Sequence, residues 1–180
     1  MEKKTKKRPI KVAVTGPEST GKSWLAEHLA GHYGTLWVPE YSREYLQAIG
    51  RPYDYNDILK IAEGQLKAEN AALEKPGDHR LLFCDTEFIV TKIWCEDKFG
   101  RCHEYIDSLV RNHQYDLYLL CDIDLPWEFD PLREDQHRRP FLFDLYRETL
   151  ESNRLRYGIV SGSGTERLEN AVRMIDKLLA

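Results

Sequence analysis

The sequence has no long apolar run, few cysteines and no excess of basic residues. No stretch approaches the roughly 20 apolar residues that a transmembrane helix needs. The four cysteines form no C-x-x-C pair, so the sequence indicates neither a zinc site nor a disulfide framework. A net charge of -4 argues against a general nucleic-acid binder, which needs a basic face for phosphate contacts. These absences predict a reduced, cytoplasmic protein that binds a small molecule, with no nucleic-acid or membrane partner.

The length of the chain sets the number of domains. At 180 residues, 42% of them hydrophobic, the chain is long enough for one core and too short for two ordinary domains. We therefore expect residues 10–180 to form a single domain. Residues 1–9 are expected to be a basic, disordered tail rather than a signal peptide, because no separate apolar segment follows the charges.

Residues 16–23 are the stretch around which the rest of the chain is organised. They read Gly-Pro-Glu-Ser-Thr-Gly-Lys-Ser and fit G-x-x-x-x-G-K-[ST] between an apolar run at 11–15 and a helix-forming segment at 24–30. This context is typical of a P-loop, in which backbone N–H groups and a helix N-terminus hold nucleotide phosphates. Lys22 is expected to reach the β- and γ-phosphates, and Ser23 to bind Mg²⁺. The predicted nucleotide-binding residues are Gly16, Glu18, Ser19, Thr20, Gly21, Lys22, Ser23 and Trp24. Glu18 could instead order the site by bonding to backbone or to arginines of residues 122–139.

Short apolar runs recur along the chain and alternate with helical patterns. After the first run they fall at 36–38, 81–84, 117–121 and 158–160, with helices expected at about 55–73, around 106–110, from near 140, and at the end of the chain. This alternation predicts an α/β fold with a five-stranded parallel sheet and helices on both faces. Ligands collect beyond the carboxyl ends of such strands.

Polar residues follow these strands at the predicted ligand edge. Asp85 closes the third run, where a carboxylate could hold Mg²⁺ or cap the next helix. Residues 122–139 are charged and contain Arg133 and Arg138, so they could form a solvated loop or a lid that brings arginines to the transferring phosphate.

Several motifs together resemble the ribosylnicotinamide kinase domain of the NadR family, within the nucleoside- and nucleotide-kinase branch of P-loop proteins. They are the octet at 16–23, Glu40-Tyr41-x-Arg43-Glu44, Asp85-Thr86-x-Phe88-Ile89 with Thr91 following, and the arginine-bearing segment before residue 140. The resemblance covers the chain from the first strand to the last helix. It implies an ATP- and Mg²⁺-dependent kinase that phosphorylates the ribose 5′-hydroxyl of nicotinamide riboside. We expect a stand-alone kinase, without the adenylyltransferase and DNA-binding domains of the best-known family members.

The resemblance also implies roles for individual residues. Glu40 is expected to be the general base, on a second strand that neighbours the P-loop strand, with Asp85 as the rival base. Tyr41 and Arg43 would contact the acceptor, although Arg43 could instead pair with Glu40 or Glu44. The catalytic set is therefore Lys22, Glu40, Asp85, Arg133 and Arg138. Gly162, Ser163 and Gly164 would pack along adenine or form a simple turn, and Tyr53 and Trp94 would stack on a base or lie in the core.

Two other functions fit parts of the sequence. Val38-Pro39-Glu40 also resembles the second-strand end of deoxynucleoside kinases, which favours a kinase of another nucleoside. A nucleotide-dependent switch is the alternative from another class. The Asn-Lys-x-Asp signature of guanine-nucleotide switches is missing, and Asp97-Lys98-Phe99-Gly100 fits D-x-x-G without following a predicted strand.

Overall fold

The computed structural model describes residues 8–75, 77 and 79–180, and within them the predicted alternation of strands and helices is confirmed. Most of the predicted basic tail, residues 1–7, lies outside the described residues. Arg8, near the end of that tail, pairs with Asp116 at 2.7 Å. The elements are β1 (Ile10–Thr15), α1 (Lys22–Tyr33), β2 (Leu36–Val38), α2 (Tyr41–Ile49), α3 (Tyr55–Glu74), β3 (Leu81–Asp85), α4 (Phe88–Phe99), α5 (Glu104–Asn112), β4 (Leu117–Cys121), α6 (Arg139–Ser152), β5 (Tyr157–Val160) and α7 (Gly164–Leu179).

Local signals in the sequence set several of these boundaries. Asp54 accepts hydrogen bonds from the backbone N–H groups of Asn56 and Asp57, which fixes the start of α3 by a capping box. Gly100 adopts a left-handed conformation with φ 65° and ends α4, which separates it from α5. None of the helices within the described residues is both long enough and apolar enough to cross a membrane.

The five strands form one parallel sheet in the order β2-β3-β1-β4-β5. The expectation that β2 neighbours the P-loop strand is therefore wrong, because β3 lies between them. The five residues of β3 are all buried, whereas two of the three residues of β2 are only half-buried. The longer apolar strand β3 thus takes the interior position beside β1, and the short strand β2 lies at the edge of the sheet.

Alternate residues of the strands pack on opposite faces of the sheet. Val12 and Val14 contact the cluster formed with α1 and α7, whereas Ala13 contacts the cluster formed with α3, α4, α5 and α6. Helices therefore cover both faces, as predicted. In the β1–β3 register, Val14 pairs with Asp85, so the P-loop leaves β1 beside the end of β3.

Candidate active site

A cavity of about 550 Å³ opens at the carboxyl ends of the strands. The P-loop, residues 16–23, and Trp24 line its middle. One end is lined by side chains of α2 and α4, among them Arg43 and Trp94, and the other by Gly164 and Arg167 of α7. The residues before α6 line the remaining side. One continuous space therefore joins the P-loop to groups from every part of the sheet edge.

Two glycines allow the P-loop to turn tightly against its neighbours. Gly16 has φ 133°, and a Cβ atom there would lie 3.1 Å from the carbonyl oxygen of Cys121. Gly21 has φ 74°, and a Cβ atom there would lie 3.0 Å from Leu125. Both positions combine a positive φ with a close contact, so a larger residue would distort the loop.

The backbone of α1 begins in a way that suits an anion. Gly21 is its N-cap and supplies no side-chain cap, and its first turn contains no acidic residue. The first N–H groups of the helix are thus left for a ligand, and the positive end of the helix dipole favours a phosphate there. Lys22 Nζ and Thr20 Oγ1 both donate to the carbonyl oxygen of Pro17, at 2.6 and 2.8 Å.

Asp85 is buried beside the P-loop and does not cap a helix. The cap of α4 is Glu87, whose Oε2 accepts from the N–H of Ile89 at 2.7 Å. Among the residues that the structure describes, Asp85 Oδ1 finds no hydrogen-bond partner. Burial raises the pKa of Asp85 to about 6, the charge of Glu40 adds to this increase, and the Ser23 hydroxyl and Lys22 oppose it. A buried carboxylate oxygen without a partner next to a serine hydroxyl is a set of donors that suits Mg²⁺.

The raised pKa of Asp85 leads to a stability prediction. The native state binds this proton more tightly than the unfolded state, so stability is lost as the pH rises from about 4 through 6. Asp85→Asn removes the buried charge and is expected to raise the Tm at pH 8, without metal or nucleotide, by on the order of 5 °C. The gain should shrink at pH 4. Thermal unfolding at both pH values checks this, with Asp144→Asn, at an exposed position of α6, as the control.

An equal gain or loss at both pH values would contradict the electrostatic origin of this effect. The physical reason is that Asn resembles both forms of Asp in size but only the protonated form in charge. A merely steric change would therefore be independent of pH.

Glu40 and Arg43 both line the cavity but do not pair with each other. Glu40 Oε1 accepts from the Ser42 hydroxyl at 2.6 Å, and Arg43 pairs with Asp130 at 2.8 Å. Neither of the ion pairs suggested for Arg43 from the sequence is therefore formed within the described residues. Glu40 keeps a carboxylate without a cationic partner among those residues.

Tyr41 is not brought into the cavity, in contrast to its predicted contact with the acceptor. Its backbone N–H donates to Gln65 at 2.9 Å, and its ring packs on α3, where a Cβ atom at Gly64 would overlap it at 2.0 Å. The start of α2 turns this side chain towards α3. Tyr53 and Trp94 do line the cavity, with ring centroids 4.9 Å apart and planes at 73°.

The segment before α6 is attached to the P-loop through residues 18 and 19. Glu18 Oε2 accepts from the backbone N–H groups of Glu134 and Asp135, at 2.9 and 3.1 Å. The Ser19 hydroxyl accepts from the N–H of Glu128 at 2.8 Å. Burial raises the pKa of Glu18. Glu18 therefore binds the backbone of the segment before α6, which is the alternative to a direct contact with the nucleotide.

The arginines of this segment point in different directions. Arg133 lines the cavity and donates to the Ser19 hydroxyl at 3.4 Å and to the carbonyl oxygen of Glu128 at 2.6 Å. The guanidinium of Arg138 instead pairs with Asp97 of α4, and Arg138 is not among the described residues that line the cavity. Its neighbour Arg139 donates to the carbonyl oxygen of Ser19 at 3.2 Å. In the structure Arg138 therefore contacts α4, and its catalytic role stays a prediction.

The loop between β5 and α7 contains the glycines predicted to contact adenine. Gly164 lines the cavity, and the N–H of Gly162 donates to Asp124 at 2.6 Å. Ser163 is the N-cap of α7 and makes no side-chain cap. Arg167, which the sequence analysis missed, is buried in the first turn of α7 and also lines the cavity.

Comparisons with known proteins agree with this arrangement. A family model described as "AAA domain" matches residues 11–167. The chain is 32% identical over 153 residues to the "Trifunctional NAD biosynthesis/regulator protein NadR" of Escherichia coli (strain K12), covering 81% of this chain and 37% of that protein. The chain thus spans about a third of the length of the curated relatives it matches.

Solved structures show the same fold. A crystal structure of NadR in complex with NR has a TM-score of 0.80 at 20% identity and covers 95% of this chain and 51% of that one. A NadR complex with NAD and AMP-PNP has a TM-score of 0.72 at 23% identity, covering 95% and 50%. A deoxyadenosine kinase from M. mycoides has a TM-score of 0.66 at 12% identity, covering 93% and 100%. The motif, the structural similarity and the family match agree: the chain belongs to the AAA domain family and is a NadR-like P-loop domain.

Proposed function

We propose that the chain is a kinase that transfers the γ-phosphoryl group of ATP to the ribose 5′-hydroxyl of nicotinamide riboside. The observation that carries the proposal is the single cavity that joins the P-loop to an acceptor end containing Glu40, Tyr53 and Trp94. A kinase needs both substrates in one space, with the hydroxyl in line with the γ-phosphate. The relatives named NadR, one of them in complex with NR, support this acceptor.

Each end of the cavity fits one substrate. The uncapped N-terminus of α1 and Lys22 suit the triphosphate. Ser23 and Asp85 would hold Mg²⁺, which when bound would supply positive charge to the phosphate oxygens. Glu40, free of a cationic partner among the described residues, would accept the proton of the attacking hydroxyl as the bond from the γ-phosphorus to ADP breaks.

The acceptor end also suits a cation. Nicotinamide riboside carries a positive pyridinium ring, which is attracted to aromatic faces and to carboxylates. Tyr53 and Trp94 supply the aromatic surfaces, and the Tyr53 hydroxyl donates to Glu134 of the lid segment at 3.2 Å. Glu40 supplies a negative charge nearby. These features favour a cationic nucleoside over neutral ones.

We expect nicotinamide riboside to have a higher kcat/KM than adenosine, uridine or deoxycytidine. The measurement is ADP release with each nucleoside at saturating ATP, with mass analysis of the phosphorylated product. A higher kcat/KM for a purine or pyrimidine nucleoside would make that nucleoside the acceptor, and the protein would still be a kinase. ATP hydrolysis that no nucleoside stimulates would instead favour a nucleotide-dependent switch.

The geometry gives the switch less support. Asp97-Lys98-Phe99-Gly100, the D-x-x-G match, lies at the carboxyl end of α4, and Asp97 is paired with Arg138. In a guanine-nucleotide switch such an aspartate would follow a strand and face the nucleotide. The match is therefore better explained as part of the contact between α4 and the lid segment.

A further inference from the structure

Arg167 is the largest fully buried side chain among the described residues, with 1% of its surface exposed. It lies in the first turn of α7, at the edge of the cavity, and a charged group is placed there only when polar partners surround it. Its hydrogen-bond partners therefore indicate its role.

The guanidinium joins three loops that follow three different strands. Nη2 donates to the carbonyl oxygen of Thr20 in the P-loop at 2.8 Å and to that of Asp122 after β4 at 3.0 Å. Nη1 donates to the carbonyl oxygen of Gly162 after β5 at 2.7 Å and to Asp124 Oδ1 at 2.8 Å. One side chain thus sets the distances between the loops after β1, β4 and β5.

Asp124 closes this arrangement into a ring. Its second oxygen, Oδ2, accepts from the N–H of Gly162 at 2.6 Å, while Oδ1 accepts from Arg167. The backbone of Gly162 is therefore held through both its N–H and its carbonyl group. Gly162 also has φ 91°, a conformation that favours glycine, so this loop has one fixed shape beside the P-loop.

One donor of Arg167 remains unused. Nε is buried without a hydrogen-bond partner among the described residues, and a Cβ atom at Gly21 of the P-loop would lie 3.9 Å from it. An unsatisfied buried N–H group is costly, so the four hydrogen bonds of Nη1 and Nη2 must hold the side chain in this place. Arg167 lines the cavity at the end away from Glu40, so a ligand reaching from the P-loop towards α7 would pass it.

We propose that Arg167 is a positioning residue for the nucleoside half of the nucleotide: it fixes the β5–α7 loop relative to the P-loop. This inference rests on the proposed function, since it needs a nucleotide whose phosphates occupy the P-loop. The phosphates themselves are held by the α1 N-terminus and Lys22, which Arg167 does not replace. Substitution of Arg167 should therefore weaken the contribution of the nucleoside to binding and leave that of the phosphates.

The test compares ATP with inorganic tripolyphosphate, which has the phosphates and no nucleoside. Arg167→Lys keeps the charge and loses most of the fixed hydrogen bonds. We expect the Kd for Mg-ATP to rise about tenfold or more, and the Kd for Mg-tripolyphosphate to change less than about twofold. In turnover assays KM for ATP should rise with little change in kcat. Arg173→Lys, at an exposed position of the same helix, is the control.

A second variant covers the case in which Arg167→Lys does not fold. Asp124→Asn breaks the same ring from its more exposed side. It should weaken the binding of Mg-ATP selectively, by a smaller factor than Arg167→Lys does. The proposal would be overturned if both ligands bound more weakly by the same factor, or if a folded variant bound Mg-ATP as tightly as the wild type. Wild-type protein that binds neither ligand would instead refute nucleotide binding, and because no acceptor is present, an error in the acceptor cannot affect the comparison.

Discussion

Lys22→Ala is expected to lower the rate of phosphoryl transfer by at least about a thousandfold, because the γ-phosphate loses the positive charge closest to it as negative charge develops in the transition state. In the structure Lys22 Nζ donates to the carbonyl oxygen of Pro17 at 2.6 Å, inside the P-loop. Within the described residues it forms no ion pair with a carboxylate. Its charge is therefore directed into the loop and not neutralised by a neighbour.

The measurement is turnover with the best nucleoside acceptor at saturating ATP, together with Tm as a check on folding. Lys67→Ala removes an exposed lysine from the middle of α3 and should leave both values unchanged. Lys22→Ala activity within tenfold of the wild type would contradict the assigned role of the P-loop lysine. Loss of activity with a large fall in Tm would be explained by unfolding instead, so both measurements are needed.

The parts of this site that could be predicted from the sequence are those fixed by neighbours along the chain. The P-loop is such a case, since Gly16 and Gly21 need left-handed or otherwise restricted backbone angles that glycine tolerates. Asp85 is another, because it is the last residue of a buried strand and therefore lies at the carboxyl end of the sheet. In both, the local pattern determines the position.

Sheet order and side-chain direction depend on contacts between distant residues, and the predicted place of β2 beside β1 was wrong. The position of β2 depends on which apolar strand takes the place beside β1, and β3 takes it. Arg138 and Arg139 are adjacent in a charged segment, and only the packing of α6 on α4 turns Arg138 to Asp97 and Arg139 to Ser19. The composition of the segment does not show in which direction each of two adjacent arginines points.

The position of Arg167 in the last helix indicates that its side chain is buried. In the sequence, Leu168, Val172, Ile175 and Leu179 recur at helical spacing in the last helix, whereas the buried positions are 167, 171 and 175, at spacings of four. An arginine in line with Ala171 and Ile175 lies on the buried side of the helix. Because a buried arginine needs several acceptors, this placement indicates loops nearby.

Glu40→Gln is expected to lower kcat by about 10²- to 10⁴-fold while ATP binding and folding stay near normal, the loss that follows removal of a positioned general base. Glu40 lies in the cavity at the end of β2, and its Oε1 accepts from the Ser42 hydroxyl at 2.6 Å. A glutamine amide oxygen can keep that hydrogen bond, so the loop geometry should survive. The amide cannot accept the proton of the attacking hydroxyl.

The variant also distinguishes Glu40 from its rival, Asp85. A base must be free to take up a proton, whereas Mg²⁺ would use the carboxylate of Asp85. Glu44→Gln, an exposed glutamate on the same helix, serves as the matched control. Near-normal kcat in Glu40→Gln would transfer the role to Asp85. A raised KM for the nucleoside at unchanged kcat would instead assign Glu40 to binding the hydroxyl, because uniform binding affects KM alone.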